Sequence, residues 1–384
     1  MLSLDVCGVQ QLKIHGENDV KTVTTPTPLA RGALDHAKSA YTARRVDLSQ
    51  ARALLGGEVR PRFGDVVLAR VSALGHHTRL ESPAGRRVHL FPGDEIVVVY
   101  GTRYAPDQFE ALVPADLGSC HLVAAGGIAA SMRVRHTRAK RPTAIEPLGI
   151  LLDAGSRRLN LQDWRLTPVT NPRGIGLPTI AVAGTAMNSG KTTAAAHLVR
   201  GLATAGVRVG AAKLTGAGSG PDRWKLMDAG AQHVVDFTDA GYVSTYGVAA
   251  AELDTICCTL LAELERAGCE VAVLEVADGL FQEETVHMLQ SPCFQRPLAG
   301  MLFAAGDAAG AVLGAQCLKS WGLPLLGLAG LLETSPLAVR EAVAATGFPL
   351  FTSEELSDPK LASSLCEHAV AGATPKVAAC AGLA

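Results

Sequence analysis

The strongest chemical signal in the sequence is a segment of small residues at 184–193, Gly-Thr-Ala-Met-Asn-Ser-Gly-Lys-Thr-Thr. It follows an apolar run that predicts a strand at 179–183, and it leads into a predicted helix at 191–205. Consecutive backbone N–H groups in such a loop, together with the helix N-terminus, bind phosphate. Lys191 would bring a positive charge to the β- and γ-phosphates, and Thr192 would offer a hydroxyl to Mg²⁺. The segment is therefore predicted to be a phosphate-binding loop, or P-loop.

The residues predicted to contact the nucleotide belong to the loop and the first helical turn: Gly184, Thr185, Asn188, Ser189, Gly190, Lys191, Thr192 and Thr193. A phosphate loop usually has four residues between its two glycines, whereas five separate Gly184 from Gly190. The strand before the segment and the helix after it favour the phosphate-loop interpretation despite this variant spacing.

Four carboxylates are candidates for a metal site beside the loop. Glu275 ends a strongly apolar predicted strand, where a parallel sheet opens its ligand crevice. We interpret it as positioning Mg²⁺ or water, with a helix cap as the alternative. Asp278 either contacts Mg²⁺ through water or caps the next helix. Asp236, at another predicted strand end, and Asp222 are rival ligands for Mg²⁺, which takes one or two carboxylates.

Lys213 ends the strand predicted at 207–213, and it would face the same crevice. It could neutralise charge on a transferring phosphoryl group or on a bound carboxylate, or it could be a solvated lysine. Lys191, Lys213 and Glu275 are thus the predicted catalytic residues. Asp307 precedes a predicted helix and is interpreted as its cap.

Two segments of the N-terminal half give weaker signals. Residues 101–106, Gly-Thr-Arg-Tyr-Ala-Pro, form a predicted loop at a strand end, and its location alone suggests a contact with the nucleotide. Residues 133–141 contain five basic side chains but no interleaved aromatic residue. We interpret this stretch as a solvated or interdomain face rather than as a nucleic-acid site.

The order of elements predicts an α/β protein with a β-rich N-terminal part. Residues 1–40 lack periodicity and are predicted to be an arm. Residues 41–170 are predicted to be a smaller, barrel-like domain of short strands, beginning with a short helix at 41–55. A Pro- and Gly-rich linker is predicted at 171–178. Strands then alternate with helices over 179–384, which predicts a doubly wound parallel sheet of the P-loop NTPase kind.

Composition narrows the class of protein. The 384 residues are 48% hydrophobic and 18% charged, which favours folded domains over disorder. No apolar run reaches the roughly 18–20 residues of a membrane span, and the N-terminus does not resemble a secretory signal. Nine cysteines without a Cys-x-x-Cys pair predict reduced thiols and a cytoplasmic protein. The net charge of −1 combines a positive N-terminal half with a negative C-terminal half, which supports two domains.

The pattern Gly-Thr-x₄-Gly-Lys-Thr at 184–192 resembles the loop of the dethiobiotin synthetase family. Residues 190–213 are similar to that family's first helix and second strand, and residues 273–280 to its strand ending in glutamate. The resemblance implies bound ATP and Mg²⁺, with Glu275 helping to hold the metal. Ala186 stands where the family has aspartate, and no proline follows Lys213. The resemblance therefore implies the nucleotide-binding roles for this chain but not the biotin-synthesis reaction.

A second resemblance is to P-loop proteins of the D-glutamate N-acetyltransferase-like kind. These also place another domain before a variant loop, and they have an Asp-Phe-x-x-Gly segment similar to residues 236–241, Asp-Phe-Thr-Asp-Ala-Gly. Either resemblance covers about residues 178–330. The lysine that marks ParA-type ATPases would fall near Thr185 or Ala186 and is absent.

These observations predict an enzyme that uses ATP and Mg²⁺ to phosphorylate or activate a small-molecule substrate, as a kinase or ligase. The alternatives are an acyltransferase of the second family, a polynucleotide kinase, or a nucleotide-binding module without turnover. GTP is disfavoured because no Asn-Lys-x-Asp motif is present. We expect a homodimer and no membrane contact, and a nucleic-acid partner is disfavoured but remains an alternative.

Overall fold

The computed structural model describes residues 26–171 and 174–370. Most of the predicted arm at 1–40 and the end of the chain lie outside these ranges. The strands of the N-terminal part are β1 (Thr27–Pro28), β2 (Lys38–Ser39), β3 (Ala53–Leu55), β4 (Val66–Ala73), β5 (Arg79–Glu81), β6 (Arg87–His89), β7 (Glu95–Tyr100), β8 (Arg103–Tyr104), β9 (Phe109–Leu112), β10 (Cys120–Ala124), β11 (Ile128–Arg135) and β12 (Thr143–Leu152).

Five of these strands close into a barrel. Strand β4 pairs with β12 and β7, β7 pairs with β11, and β10 pairs with both β11 and β12. The β7–β11 pair is parallel and the other four pairs are antiparallel. Both faces of β4 and β7 carry buried aliphatic side chains, in two separate clusters. The predicted barrel-like, β-rich N-terminal part is thus confirmed.

The helix predicted at 41–55 is wrong. Its residues form two short 3₁₀ turns, Tyr41–Ala43 and Leu48–Gln50, followed by strand β3. The Asp47 side chain accepts a hydrogen bond from the Ser49 amide at 3.1 Å and closes the second turn locally. Strand β3 pairs with β1 and β12, so sheet pairing prevails over the helical pattern here.

The C-terminal part contains a six-stranded sheet in the order β15-β14-β16-β13-β17-β18, with every pair parallel. Its strands are β13 (Thr179–Gly184), β14 (Val209–Lys213), β15 (His233–Asp236), β16 (Val271–Glu275), β17 (Leu298–Ala304) and β18 (Leu325–Ala329). The predicted strands in this region are confirmed within one or two residues at their ends. Because all strands are parallel, their carboxyl ends meet along one edge of the sheet.

Helices cover both faces of this sheet. They are α1 (Lys191–Thr204), α2 (Gly220–Asp228), α3 (Ala250–Arg266), α4 (Glu283–Gln290), α5 (Pro292–Gln295), α6 (Ala308–Ser320), α7 (Pro336–Thr346), α8 (Ser353–Ser357) and α9 (Pro359–Val370). Two separate apolar clusters fill the spaces between helices and sheet, one on each face. None of the helices in the described ranges has the length and apolarity needed to cross a bilayer.

Charged side chains join the barrel to the parallel sheet. Arg44, beside the first 3₁₀ turn, lies 2.6 Å from the Asp239 carboxylate, which also pairs with Arg223 at 3.2 Å. The Asp239 side chain is 5% exposed and that of Arg44 is 10% exposed. The backbones also approach closely, since a Cβ at Gly126 of the barrel would lie 2.0 Å from the carbonyl oxygen of Gly218. The two parts therefore form a buried, charge-paired junction.

Replacing Asp239 with alanine should destabilise the protein strongly. The change leaves Arg44 and Arg223 without their shared partner, and removing one member of a buried pair costs about 3–5 kcal/mol. Denaturant unfolding measures the loss. Arg70→Ala, which breaks an exposed pair with Glu95, is the control and should cost at most about 1 kcal/mol. Equal losses in the two variants would show that the junction does not depend on this carboxylate.

Candidate functional site

The segment at 185–190 connects the end of β13 to the start of α1 at the carboxyl edge of the sheet. Asn188 has a φ of +61° and Gly190 a φ of +98°, so the chain reverses through two left-handed residues. The Thr185 amide donates to Ala304 O at 3.0 Å, and the Leu331 amide donates to Ser189 O at 3.1 Å. Neighbouring strand ends thus hold the loop on both sides.

The N-terminus of α1 is open to an anion. Gly190 is its N-cap and supplies no side-chain oxygen to the first amides, which therefore lack an intrahelical acceptor. The Ser189 hydroxyl is buried and has no hydrogen-bond partner among the described residues. Unpaired N–H and O–H donors at a helix N-terminus are the donors that bind phosphate oxygens.

Lys191 begins the helix and is only 6% exposed. Its Nζ donates to Ala186 O at 2.7 Å, so the side chain lies across its own loop. Burial lowers the pKa of this ammonium group, while the carboxylates of Glu275 and Asp278 act against that shift. A buried cation of this kind gains from an anion nearby.

Thr192 and Glu275 come together as predicted for a metal site. The Thr192 hydroxyl donates to Glu275 Oε1 at 2.9 Å. Glu275 is 2% exposed, and its Oε2 has no partner in the described part of the chain. Burial raises the pKa of this carboxyl group, and Lys213 and Lys191 counteract the rise. A hydroxyl next to a half-paired carboxylate is a fitting donor set for Mg²⁺ bound together with phosphate.

Lys213 lies between two carboxylates. It forms an ion pair with Asp222 of α2, and its Nζ is 3.6 Å from Glu275 Oε1. Burial opposes the charged form of Lys213, but Asp222 and Glu275 outweigh burial and raise its pKa. The alternative of a solvated Lys213 is therefore excluded. Asp222 contacts this ammonium group rather than the Thr192–Glu275 pair.

Asp236 is not part of this cluster. Its carboxylate accepts hydrogen bonds from Tyr41 of the barrel and from the Thr238 amide, the latter at 2.7 Å, and lies 3.4 Å from Arg44. Burial opposes its ionisation, but Arg44 and these hydrogen bonds prevail and lower its pKa. The geometry thus assigns Asp236 to the domain junction, away from the metal position predicted for it.

The two remaining aspartates differ. Asp307 caps α6, accepting from the Gly310 amide at 2.7 Å, which confirms the interpretation as a cap. Asp278 does not cap α4, whose N-cap is Gln282. Asp278 is buried, and burial raises its pKa although the positive charges of Lys213, Lys191 and Arg103 act against the rise. Over 26–171 and 174–370 no group of three or more His, Cys, Asp or Glu side chains could by itself hold a metal ion.

The barrel also contacts the loop, which sequence reasoning missed except for the location of 101–106. Asp107 accepts from Asn188 Nδ2 at 3.0 Å. Thr102 Oγ1 donates to Tyr246 O at 2.7 Å, which fixes the neighbouring segment to the parallel-sheet part. Within the C-terminal part, Lys225 of α2 donates to Thr193 Oγ1 at 2.8 Å, so α2 also contacts the first turn of α1. The basic stretch at 133–141, interpreted as a solvated or interdomain face, is largely exposed.

A six-stranded parallel sheet with an anion-receptive loop between its central strand and α1 defines a P-loop α/β fold. Comparison of the sequence with protein-family models and with curated proteins finds no match. Solved structures that resemble the chain do so at low similarity, so the fold assignment depends on the strand order and the loop described above.

Three such structures are a signal recognition particle 54 kDa protein from Aeropyrum pernix in complex with GDP, a signal recognition particle receptor FtsY from Elizabethkingia anophelis, and a DUF1611 family protein from Anabaena variabilis. Their identities to this chain are 17%, 14% and 14%, and their TM-scores are 0.34, 0.35 and 0.37. The matches cover 52%, 51% and 53% of this chain, and 51%, 66% and 61% of theirs. The matched region is thus less than two thirds of each relative.

Substituting alanine for Gly190 should disrupt the loop. A Cβ there would lie 2.7 Å from Gly330 Cα, in addition to the strain of a φ of +98°. Gly206 is the matched control, because its φ is +88° but a Cβ would meet nothing within 4 Å. Gly206→Ala should lower the free energy of unfolding by about 1–2 kcal/mol, and Gly190→Ala by more, with loss of pyrophosphate binding. Denaturant unfolding measures the free energy of unfolding, and calorimetry measures pyrophosphate binding. Equal losses of stability and of binding in the two variants would contradict the described geometry.

Proposed function

We propose that the chain binds Mg·ATP at the loop and transfers the γ-phosphoryl group to a small-molecule acceptor. The observation that carries this proposal is the meeting of Lys191, Thr192, Glu275 and Lys213 at one end of the sheet, beside the unpaired donors of α1. Phosphoryl transfer needs positioning and charge neutralisation rather than a covalent protein intermediate. Hydroxyl, carboxylate and ammonium groups in this arrangement suit that need.

Each residue has a distinct role in the proposed reaction. The amides of α1 and the Ser189 hydroxyl would bind phosphate oxygens, and Lys191 would leave Ala186 O to reach the same oxygens. Thr192 and Glu275 would hold Mg²⁺, which supplies positive charge to the β- and γ-phosphates when bound. Lys213 would offset charge on the transferring group. An acceptor oxygen forms the new bond to phosphorus as the bond to the ADP oxygen breaks.

The acceptor would lie between the loop and the barrel. Asp107 contacts the loop at Asn188, and Tyr246 donates to Glu110 of β9 at 2.8 Å, so side chains of the N-terminal part lie next to the loop. Tyr104 packs against Tyr246 with ring centroids 5.3 Å apart. A site walled by a second domain suits a small acceptor better than a polymer, which supports the small-molecule assignment over a polynucleotide kinase.

Mg·ATP should stabilise the wild-type protein, whereas Lys191→Ala should abolish the effect. A ligand at 100 times its dissociation constant adds about 2.7 kcal/mol, which appears as a raised Tm. Lys319→Ala, an exposed lysine of α6, is the control and should keep the full shift. Mg·GTP, acetyl-CoA and an RNA 5′-hydroxyl oligonucleotide are parallel arms. Stabilisation by acetyl-CoA alone would overturn the proposal in favour of acyl transfer.

Replacing Thr192 with valine should remove the dependence of ATP affinity on Mg²⁺. The wild type should bind ATP at least tenfold more tightly with Mg²⁺ than without it, about 1.4 kcal/mol, because the Thr192 hydroxyl helps to hold the metal. Thr192→Ser keeps the hydroxyl and should keep the dependence. Calorimetric titration with and without Mg²⁺ measures both. A valine variant that still responds to Mg²⁺ like the serine variant would exclude Thr192 as a metal ligand.

A further inference from the structure

Arg103 of β8 is a buried cation without a counter-ion. It belongs to the N-terminal barrel part and is 7% exposed. Its Nη2 donates to the neutral amide oxygen of Gln108 at 2.8 Å, while its Nε has no partner in the described residues. The ion pairs found within 26–171 and 174–370 do not include it.

The surroundings do not compensate this charge. Burial lowers the pKa of Arg103 to about 10, with Asp278 and Asp107 acting against the shift. The neighbouring imidazoles bring no negative charge, and burial together with Arg103 lowers the pKa of His77 to about 3. A guanidinium held out of water without a paired carboxylate is costly to the fold. Such a group is expected where a ligand supplies the missing anion.

Both carboxylates that act on Arg103 connect it to the phosphate loop. The positive charges of Lys213, Lys191 and Arg103 all oppose the rise that burial causes in the pKa of Asp278. Asp107 accepts from Asn188 of the loop at 3.0 Å. Thr102, next to Arg103 in sequence, is bonded to Tyr246 O at 2.7 Å, which fixes β8 against the parallel-sheet part. Arg103 thus belongs to a segment, 102–107, that contacts Tyr246 through Thr102 and the phosphate loop through Asp107.

We propose that Arg103 binds phosphoryl oxygens at the γ end of the nucleotide, so that the barrel completes the phosphate site. This inference rests on the proposed function. A guanidinium offers several N–H donors in a planar fork that matches phosphate oxygens, and an arginine supplied from outside the loop offsets the charge of the transferring group. Lys191 and α1 bind from one side, and Arg103 binds from the barrel side.

The test compares a diphosphate with a triphosphate. Calorimetry measures the binding of Mg·ADP and of the non-hydrolysable Mg·β,γ-imido-ATP to wild type, Arg103→Met, Arg103→Lys and Lys191→Ala. Arg103→Met should weaken imido-ATP binding about 10- to 100-fold and change ADP binding less than threefold. Arg103→Lys keeps the positive charge but loses the planar guanidinium group. Its affinity for imido-ATP should lie between those of the wild type and Arg103→Met. Arg133→Met, an exposed arginine of β11, is the control and should bind both like the wild type.

Stability distinguishes ligand binding from a structural role. Methionine replaces an unpaired buried charge with an apolar chain, so the Tm of ligand-free Arg103→Met should equal or exceed that of the wild type. A lowered Tm with equal weakening of both nucleotides would make Arg103 structural and overturn the inference. Unchanged binding of both in Arg103→Met, with loss of both in Lys191→Ala, would overturn it while the loop remains a nucleotide site. A wild type that binds neither nucleotide would overturn both proposals.

Discussion

Lys213 lies between Asp222 and Glu275, and this pairing is the constraint on which the candidate site depends. The carboxyl edge of the sheet gathers several buried or partly buried charges, and such charges are stabilised when they pair with one another. The carboxylates are Asp222, Glu275 and Asp278, and the cations are Lys191, Lys213 and Arg103. Arg103 comes from the N-terminal part, and its Nε has no partner among the described residues. The charge at this edge therefore depends on both parts of the chain.

Docking of the barrel follows from the same principle. Asp239 takes up Arg44 from the barrel and Arg223 from α2, and Glu81 of β5 accepts from the Gly220 amide at 2.8 Å at the start of that helix. Helix α2 also carries Asp222, the partner of Lys213. Helix α2 therefore contacts the N-terminal part through Gly220 and the candidate site through Asp222. The junction and the candidate site thus depend on the same short helix.

The sequence predicts what local signals encode. Residue spacing and apolar runs are enough to predict the phosphate loop and the strand and helix that flank it. They also predict the strand ends at Lys213 and Glu275. Asp236 looked like a metal ligand for the same reason, since it ends a strand. Its actual partners, Tyr41 and Arg44, lie more than 190 residues away in sequence, and no periodicity reports such a contact. Only the position of the loop at 101–106 pointed to Arg103, because its burial in the fold leaves no periodic signal in the sequence.

The described residues of the connection between the two sheets, on either side of 172–173, hydrogen-bond to the C-terminal part. The Leu166 amide donates to Asp239 O at 2.8 Å, the Val169 amide to Thr259 Oγ1 at 2.9 Å, and the Gly176 amide to Glu265 Oε1 at 2.8 Å. The segment that includes the predicted Pro- and Gly-rich linker at 171–178 is thus tied to α3 at Thr259 and Glu265, and we call it the strap. Dividing the gene at this point, to express either half or to exchange barrels between proteins, would separate residues that hydrogen-bond to α3 from the rest of the fold. Productive chimaeras would have to carry the strap with α3 and place the new join within the barrel.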